Sequence, residues 1–266
     1  ACFLAASATP TTARIAVDGD LGEWNGMDPL VMRDNATGEA VAVKTEIFTA
    51  YDGKRFYVAG KVHEPGKPVL APNPLPRDGE LYSYDSIEIY FCSDQEGFDE
   101  AGVAKMDQHH QFVINSRGAL YDGYKSTATR TTDGKVDFAI EYKVKPMGDG
   151  FQFEMAFPYK AIHALVPTPG DFWYVNFYRN RPRDDGSPRY HAFAPTQAAF
   201  SKTARFAVMN FPKKTRVLYD FTAGKDKFGV WNRLSPTAVC TSEIKNGIAY
   251  LRVQYPKTAT AKGRVA

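Results

Sequence analysis

The sequence contains no apolar stretch that reaches the ~20 residues a membrane-spanning helix requires. It also lacks a long basic run, because 33 lysine and arginine residues nearly balance 30 aspartate and glutamate residues and leave a net charge of only +3. Nucleic-acid binding requires a concentrated basic face, so this distribution argues against that class. There is no Cys-x-x-Cys pair, phosphate-binding loop or Ser-His-Asp order, and we therefore expect no catalysis by residues 1–211.

Cysteine is scarce, with three residues in 266. Cys92 and Cys240 are far apart, and the sequence leaves open whether they form a bridge. Cys2 lies in a small, apolar opening segment whose Ala6-Ser7-Ala8 fits the pattern before a signal-peptidase cut. Either this segment is the tail of an export signal or Cys2 carries a lipid anchor. Both interpretations predict a protein that is secreted, periplasmic or at the cell surface.

Short apolar runs separated by turn residues predict an all-β fold, an antiparallel sandwich. Aromatic residues make up 14% of the chain, which suits pleated, half-buried surfaces. Asp52-Gly53 predicts a hairpin turn, and Asp149-Gly150 a second turn. A short helical turn is expected at residues 158–165, where proline begins the segment. The strand candidates are residues 41–48, 56–62, 86–91, 111–115, 136–144, 151–157, 217–221 and 248–255.

The chain is expected to divide into four parts. Residues 1–13 are an export-signal remnant or a disordered leader, residues 14–211 form the sandwich and residues 212–216 form a linker. Residues 217–266 begin a second β-domain or supply accessory strands, because about fifty residues are too few for an independent sandwich.

Six segments form an ordered set along the sandwich. Residues 17–24 read VDGDLGEW, 50–58 AYDGKRFYV, 84–91 YDSIEIYF, 150–158 GFQFEMAFP, 173–179 WYVNFYR and 204–206 ARF. They resemble, in the same order, the patterns DGxLxEW, xYDxxxLYV, DSVEIFID, GYxxExxIP, wxxNfyR and xxFG of the family-nine carbohydrate-binding modules. The resemblance covers roughly residues 14–211.

The resemblance implies a β-sandwich that binds sugar, often chain ends, between two facing aromatic rings flanked by polar side chains. Alignment places Tyr82 and Phe200 at the two ring positions. It places Glu88, Asn115 and Gln197 at positions that hydrogen-bond the sugar. Alternatively, Tyr82 and Phe200 pack beneath the proline-rich loop at residues 65–78.

The sequence departs from the best-known sugar binders at Val113, where they carry a ligand-binding arginine, and in having Tyr and Phe in place of Trp. Two rings that each cover ~50 Å² of sugar still supply roughly 2.5 kcal/mol of apolar contact. After the costs of association, we expect affinities in the millimolar to micromolar range, about −4 to −8 kcal/mol.

Other side chains have competing interpretations. Asp18, Asp20, Asp52 and Glu64 either supply oxygen ligands to a structural calcium, as the family resemblance implies, or cap nearby backbone. Glu88 alternates with two isoleucines, so it is exposed or directed into a site. Tryptophans 24 and 173 are expected in the core, and His109 and His110 in a solvated loop. Arginines 179, 181, 183 and 189 contact acidic sugars or form surface ion pairs.

Two further functions compete with sugar binding by an accessory module of a secreted polysaccharide-degrading protein. One is a haem or redox-partner domain of the DOMON type, for which Met106, His110 and Met155 are the candidate ligands. The other is a part of a glycoside hydrolase whose catalytic residues lie outside this chain. Asp85 and Glu88 themselves have an odd spacing that directs them to opposite faces of a strand. We expect the protein to be a monomer.

Overall fold

The computed structural model describes residues 4–65, 75–93, 108–126, 131–134, 136–183 and 186–212, and the backbone of 239–245 and 248–254. These residues form β-strands and short 3-10 turns, with no α-helix among them. The described part of the chain contains no helix long and apolar enough to cross a membrane. The expected all-β sandwich is confirmed.

The strands are numbered in chain order. They are β1 Ala5–Ser7, β2 Thr9–Pro10, β3 Leu30–Val31, β4 Arg33–Asp34, β5 Thr45–Tyr51, β6 Arg55–His63, β7 Ser86–Cys92, β8 Gln108–Asn115, β9 Leu120–Ser126, β10 Thr131–Asp133, β11 Glu141–Met147, β12 Gly150–Pro158, β13 Phe172–Asn180, β14 Tyr190–Ala192, β15 Ala207–Asn210, β16 Val239–Lys245 and β17 Ile248–Gln254.

Two sheets make up the sandwich. The first has the order β1-β15-β13-β7-β8-β9-β10, with β14 paired to β13 and β4 paired to β14. The second has the order β11-β12-β6-β5-β2, with β3 also paired to β5. Pairing is antiparallel between described strands except for β1 with β15 and β2 with β5.

Strand alternation decides which side chains enter the core. In β7, Ile87, Ile89 and Phe91 are fully buried between the sheets, because successive side chains point to opposite faces. Trp173 on β13 stacks against Phe91 with ring centroids 5.4 Å apart. Trp24 is buried in a second apolar cluster, so both tryptophans lie in the core as predicted.

Residues 5–10, part of the expected leader, belong to the fold. β1 pairs with β15 in the first sheet, and β2 pairs with β5 in the second. Ala6 and Ala8 are buried. Residues 5–10 are therefore ordered in the two sheets, and cleavage after Ala8 would remove β1. Cys2 lies outside the described residues, and export and a lipid anchor remain predictions.

Glu154 holds the opening motif in place. Its carboxylate accepts hydrogen bonds from the backbone N–H of Asp18 and Gly19 at 3.0 and 2.6 Å, and from Trp24 Nε1 at 2.7 Å. Burial raises its pKa, although the hydrogen bonds act in the opposite direction. Two of the six recognised segments are therefore joined by one buried carboxylate.

Several sequence expectations were wrong. Residues 136–140 are not a strand; Phe138 instead packs against His110 and Phe112 from a connecting segment. Pro158 ends β12 and residues 159–163 form turns rather than a helix, and the first long strand begins at Thr45 rather than at residue 41. His109 and His110 are buried on β8 and do not lie in a solvated loop.

The chain divides into two compact units, residues 1–214 and 215–266. Within the second, β16 and β17 form an antiparallel hairpin. The predicted strand at residues 217–221 and the side chain of Cys240 lie outside the described residues. The domain boundaries therefore remain predictions, and whether Cys92 and Cys240 form a bridge stays open.

Candidate functional site

A cavity of about 470 Å³ lies on the outer face of the first sheet. Its floor comes from β7, β8, β9 and β13, on the side opposite the core. The same alternation that buries Ile87 and Ile89 sends Glu88 and Tyr90 to this face. Gln111 lies beside Tyr90 in the strand register and also lines the cavity.

Aromatic rings border the cavity. Tyr82, on a 3-10 turn, and Tyr190, on β14, are 55% and 53% exposed. Phe200 stacks on Tyr178 with ring centroids 4.0 Å apart and planes at 13°, and Tyr190 meets it edge-on at 5.5 Å. The Tyr178 hydroxyl also donates to the Phe200 carbonyl at 2.8 Å. Phe200 is thus held in a fixed orientation with one face covered.

Glu88 supplies the buried carboxylate of the cavity. It accepts hydrogen bonds from the Tyr90 hydroxyl at 2.9 Å, Gln111 Nε2 at 3.0 Å and Asn180 Nδ2 at 2.8 Å. Burial raises the pKa of Glu88, and these three hydrogen bonds act to lower it. The donors are neutral and hold the carboxylate in one position, where a remaining lone pair can accept from a ligand hydroxyl.

His109 and Lys125 are cross-strand neighbours at the β8–β9 side of the cavity. Burial, followed by the charge of Lys125, lowers the pKa of His109 to about 4, so the imidazole is neutral at neutral pH. Its buried Nδ1 makes no hydrogen bond within the described structure. Among the described residues that line this end of the cavity, Lys125 therefore supplies the positive charge.

The comparisons with known proteins agree with this architecture. The model of the family described as "Carbohydrate family 9 binding domain-like" matches residues 17–213. The chain belongs to this family. Its members are non-catalytic binding modules. None of the curated proteins matches the chain.

Solved structures share the fold of this family-nine module. A candidate carbohydrate-binding protein from Bacteroides uniformis ATCC 8492 is 14% identical, with a TM-score of 0.61, over 79% of this chain and 100% of that one. A family-nine module from Caldicellulosiruptor kristjanssonii in complex with cellotriose is 15% identical, with a TM-score of 0.57, over 82% and 97% of the two chains. The structure of a family-nine module from the same organism in complex with glucose is 14% identical, with a TM-score of 0.57, over 80% of this chain and 98% of that one.

The cavity brings together three of the five residues that sequence alignment assigned to sugar binding, namely Tyr82, Glu88 and Phe200. Asn115 and Gln197 do not line it. Asn115 is fully buried, and its side-chain oxygen accepts from the backbone N–H of residues 117 and 119. Gln197 is exposed, and its side-chain oxygen accepts from Arg205 Nη1 at 2.5 Å. Both amide oxygens already have local partners.

The four residues expected to bind calcium do not fit one site. Among the described residues, no three of these four carboxylates lie within 4.8 Å of one another. Asp18 accepts from the Asp20 backbone N–H, and Asp20 pairs with Lys145 at 2.7 Å. Asp52 accepts from two backbone N–H groups and the Tyr57 hydroxyl. Apart from the Asp20–Lys145 ion pair, these are the local bonds of turn residues.

Glu64, the fourth member of that set, lies in a buried ion-pair network. Arg179 Nη2 lies 2.9 Å from Glu64 and 3.1 Å from Asp85, and Arg181 Nε lies 2.6 Å from Glu64. The sequence suggested that these arginines contact acidic sugars or form surface ion pairs. Arg179 and Arg181 are instead buried, and their ion pairs lie in the interior. Arg183 lies 3.9 Å from Glu64, at the edge of the network.

One group of three carboxylates does lie within 4.8 Å in the described part of the chain, formed by Asp78, Asp122 and Asp137. Arg77 pairs with both Asp122 and Asp137. The negative charge of the group thus already has a cationic partner.

The residues of the competing functions lie elsewhere. His110 and Met155 are buried in the main core, and Met106 lies outside the described residues. Asp85 pairs with Arg179 in the ion-pair network, whereas Glu88 faces the cavity, so these carboxylates face opposite sides as their spacing predicted.

Sequence reasoning missed Gln111, Asn180 and Tyr190 as cavity residues. Gln111 was detectable, because it is two residues from Val113 on the strand that pairs with β7 and so shares its face. Tyr190 comes from a loop-flanked strand of three residues, and its position depends on the pairing of β14 with β13. No local sequence signal indicates that pairing.

Proposed function

We propose that this chain binds carbohydrate in the cavity on the outer face of the first sheet. The observation that carries the proposal is that Tyr82, Glu88 and Phe200, assigned by alignment alone, line this one cavity. A pyranose has apolar C–H faces and a rim of hydroxyls. Aromatic rings match the faces, and the carboxylate and amides match the rim.

Glu88, Gln111 and Asn180 form the polar wall for the sugar hydroxyls. Glu88 is held by three donors. The side-chain carbonyl oxygens of Gln111 and Asn180 remain available as acceptors, since no described residue donates to them. Groups fixed in this way lose little conformational entropy on binding.

The family and the solved complexes support the ligand class. The structures with glucose and cellotriose share this fold at 14–15% identity. We therefore take these two gluco-sugars as the first probes. A glycan array extends the search to other sugars.

Calorimetry on cavity variants tests the proposal. Tyr82→Ala and Phe200→Ala should each weaken binding by about 1 kcal/mol, roughly fivefold, because each ring covers ~50 Å² of apolar sugar surface. Gln111→Ala should weaken binding by a similar factor, because it removes a hydrogen-bonding group worth about 1 kcal/mol.

Two exposed positions outside the cavity provide matched controls. Gln197→Ala tests an amide outside the site, and Leu165→Ala tests an apolar side chain that is 88% exposed. Both should bind sugar like the wild type. Unchanged binding in both ring variants would refute the site, and absence of binding to any glycan would refute the function.

We also propose that the module acts outside the cytoplasm as an accessory part of a polysaccharide-degrading protein. The family's ligand class supports this role. Measuring binding to insoluble polysaccharides, with bound and free fractions separated by centrifugation, tests it; binding confined to free monosaccharides would contradict it.

A further inference from the structure

Tyr121 on β9 lies in an unusual position at the cavity. A Cβ atom added at Gly123 would meet the Tyr121 hydroxyl at 2.7 Å, Cε1 at 3.1 Å and Cζ at 3.2 Å. A Cβ atom at Gly134 would meet the same hydroxyl at 2.9 Å. The end of the Tyr121 ring therefore occupies the space above these two glycines.

Side chains on a strand usually stand roughly perpendicular to the sheet. Tyr121 instead lies along its own strand, against the backbone two residues further on. Glycine inside a strand weakens it and often marks a close approach. Here Gly123 leaves the space that lets the ring lie flat, and Tyr121 is one of the side chains that line the cavity.

The strand register places this ring far from Phe200. Tyr178, Glu88, Val113 and Tyr121 form one row across β13, β7, β8 and β9. Phe200 stacks on Tyr178 at the other end of the row. Three strand spacings separate the two ends, about 14 Å at the Cα level. This span is longer than one pyranose ring.

Polar groups accompany the Tyr121 ring. Its hydroxyl has no hydrogen-bond partner among the described residues, and the ring extends along β9 in the direction of Lys125. His109, paired in register with Lys125, is 3% exposed, and its buried Nδ1 makes no hydrogen bond within that same part of the chain. This end of the cavity therefore combines a flat apolar surface with unused polar groups.

We propose that Tyr121 is a second sugar-stacking platform, so that the cavity holds an oligosaccharide with one unit near Phe200 and another on Tyr121. This inference rests on the proposed carbohydrate binding and specifies chain length as the selected property. Tyr121 then contributes to the affinity for longer ligands and little to that for single sugars.

Calorimetry with glucose and with cellotriose tests the proposal on the full chain. The wild type should bind cellotriose more tightly than glucose. Tyr121→Ala should lose about fivefold in cellotriose affinity, as for the other rings, through lost apolar contact and leave glucose affinity within about twofold. Tyr121→Phe keeps the ring and should retain most of the affinity for cellotriose.

Gly123→Ala provides a second variant that keeps Tyr121 itself. Its new methyl group would displace the ring, and it should reproduce the selective loss for cellotriose. Phe200→Ala is the matched control, because it should weaken both ligands. Unfolding curves verify that each variant is folded.

The outcomes separate the two proposals. If the wild type binds both sugars and Tyr121→Ala binds cellotriose normally, the second platform is refuted and sugar binding stands. An equal loss of glucose and cellotriose in Tyr121→Ala also refutes it, because Tyr121 would then belong to the first sugar position. If the wild type binds neither gluco-sugar, the second platform is refuted together with gluco-sugar binding.

Discussion

His110 makes the stability of the sandwich dependent on pH. Its ring lies between Phe91 and Tyr124, with centroids at 4.9 and 5.0 Å, and contacts Phe138 at 5.2 Å. Neither ring nitrogen makes a hydrogen bond of good geometry in the described structure. Burial lowers the pKa of His110 from 6.5 to about 4. The unfolded chain therefore binds a proton at a higher pH than the folded chain does.

The sign and size of the effect follow from this difference. Stabilisation by neutral His110 is fully present above the unfolded pKa and is lost as the pH falls from about 6.5 to about 4. Between about pH 7 and about pH 4.5, a shift of this size removes about 2 kcal/mol of unfolding free energy. His109 and His191, whose pKa values burial also lowers to about 4, add to the loss.

Replacing His110 with phenylalanine isolates this contribution. The carboxyl groups whose pKa values burial raises, Glu88, Asp122 and Glu154, oppose the loss but are common to both proteins. Urea unfolding, monitored by tryptophan fluorescence at both pH values, gives the loss of unfolding free energy for the wild type and for the variant. We expect His110→Phe to lose about 2 kcal/mol less than the wild type.

The packing cost of the larger ring is the same at both pH values, so it cancels when the unfolding free energy at one pH is subtracted from that at the other. His110→Leu repeats the test with a smaller side chain. Equal losses in the wild type and both variants would refute the reasoning, since His110 would then titrate alike in the folded and unfolded chains.

Two further variants test structural claims by urea unfolding. Glu154→Ala leaves Trp24 Nε1 and two backbone N–H groups without their acceptor and should cost about 2–4 kcal/mol; a loss below about 1 kcal/mol would contradict the anchoring role. Arg179→Ala leaves the buried carboxylates of Glu64 and Asp85 with less compensation and should cost about 3–5 kcal/mol. Substituting Arg205, which is exposed, gives the matched control for Arg179, and an equal effect of the two would refute the buried network.

The parts of the fold that depend on local chemistry were predictable. Asp52-Gly53 does join two paired strands, because the turn residues and the flanking apolar runs are contiguous. Glu88 faces the cavity because it alternates with Ile87 and Ile89. A strand was wrongly predicted at residues 136–140. Phe138 is a core residue, but it comes from a non-strand segment, and its backbone N–H donates to Asp122.

The site was predictable only where family motifs were well aligned. Asn115 aligned with a sugar ligand, but the turn that follows β8 already uses its amide oxygen. Asparagine before such a turn commonly bonds its own backbone, so this signal was present in the sequence. The position of Tyr121 depends on Gly123 in its own strand and also on Gly134, which reaches it through the pairing of β10 with β9. Long-range pairing of this kind has no signature in either segment alone.

The segment that runs from β1 to β2 has a practical consequence for the design of truncated fragments. The family match begins at residue 17, so a recombinant fragment cut to that match would discard one edge strand from each sheet. Such a fragment would expose the open edge of β15 and remove Ala6 and Ala8 from the interior. If such a fragment aggregated, the cause would be the loss of these strands and not a low stability of the natural module.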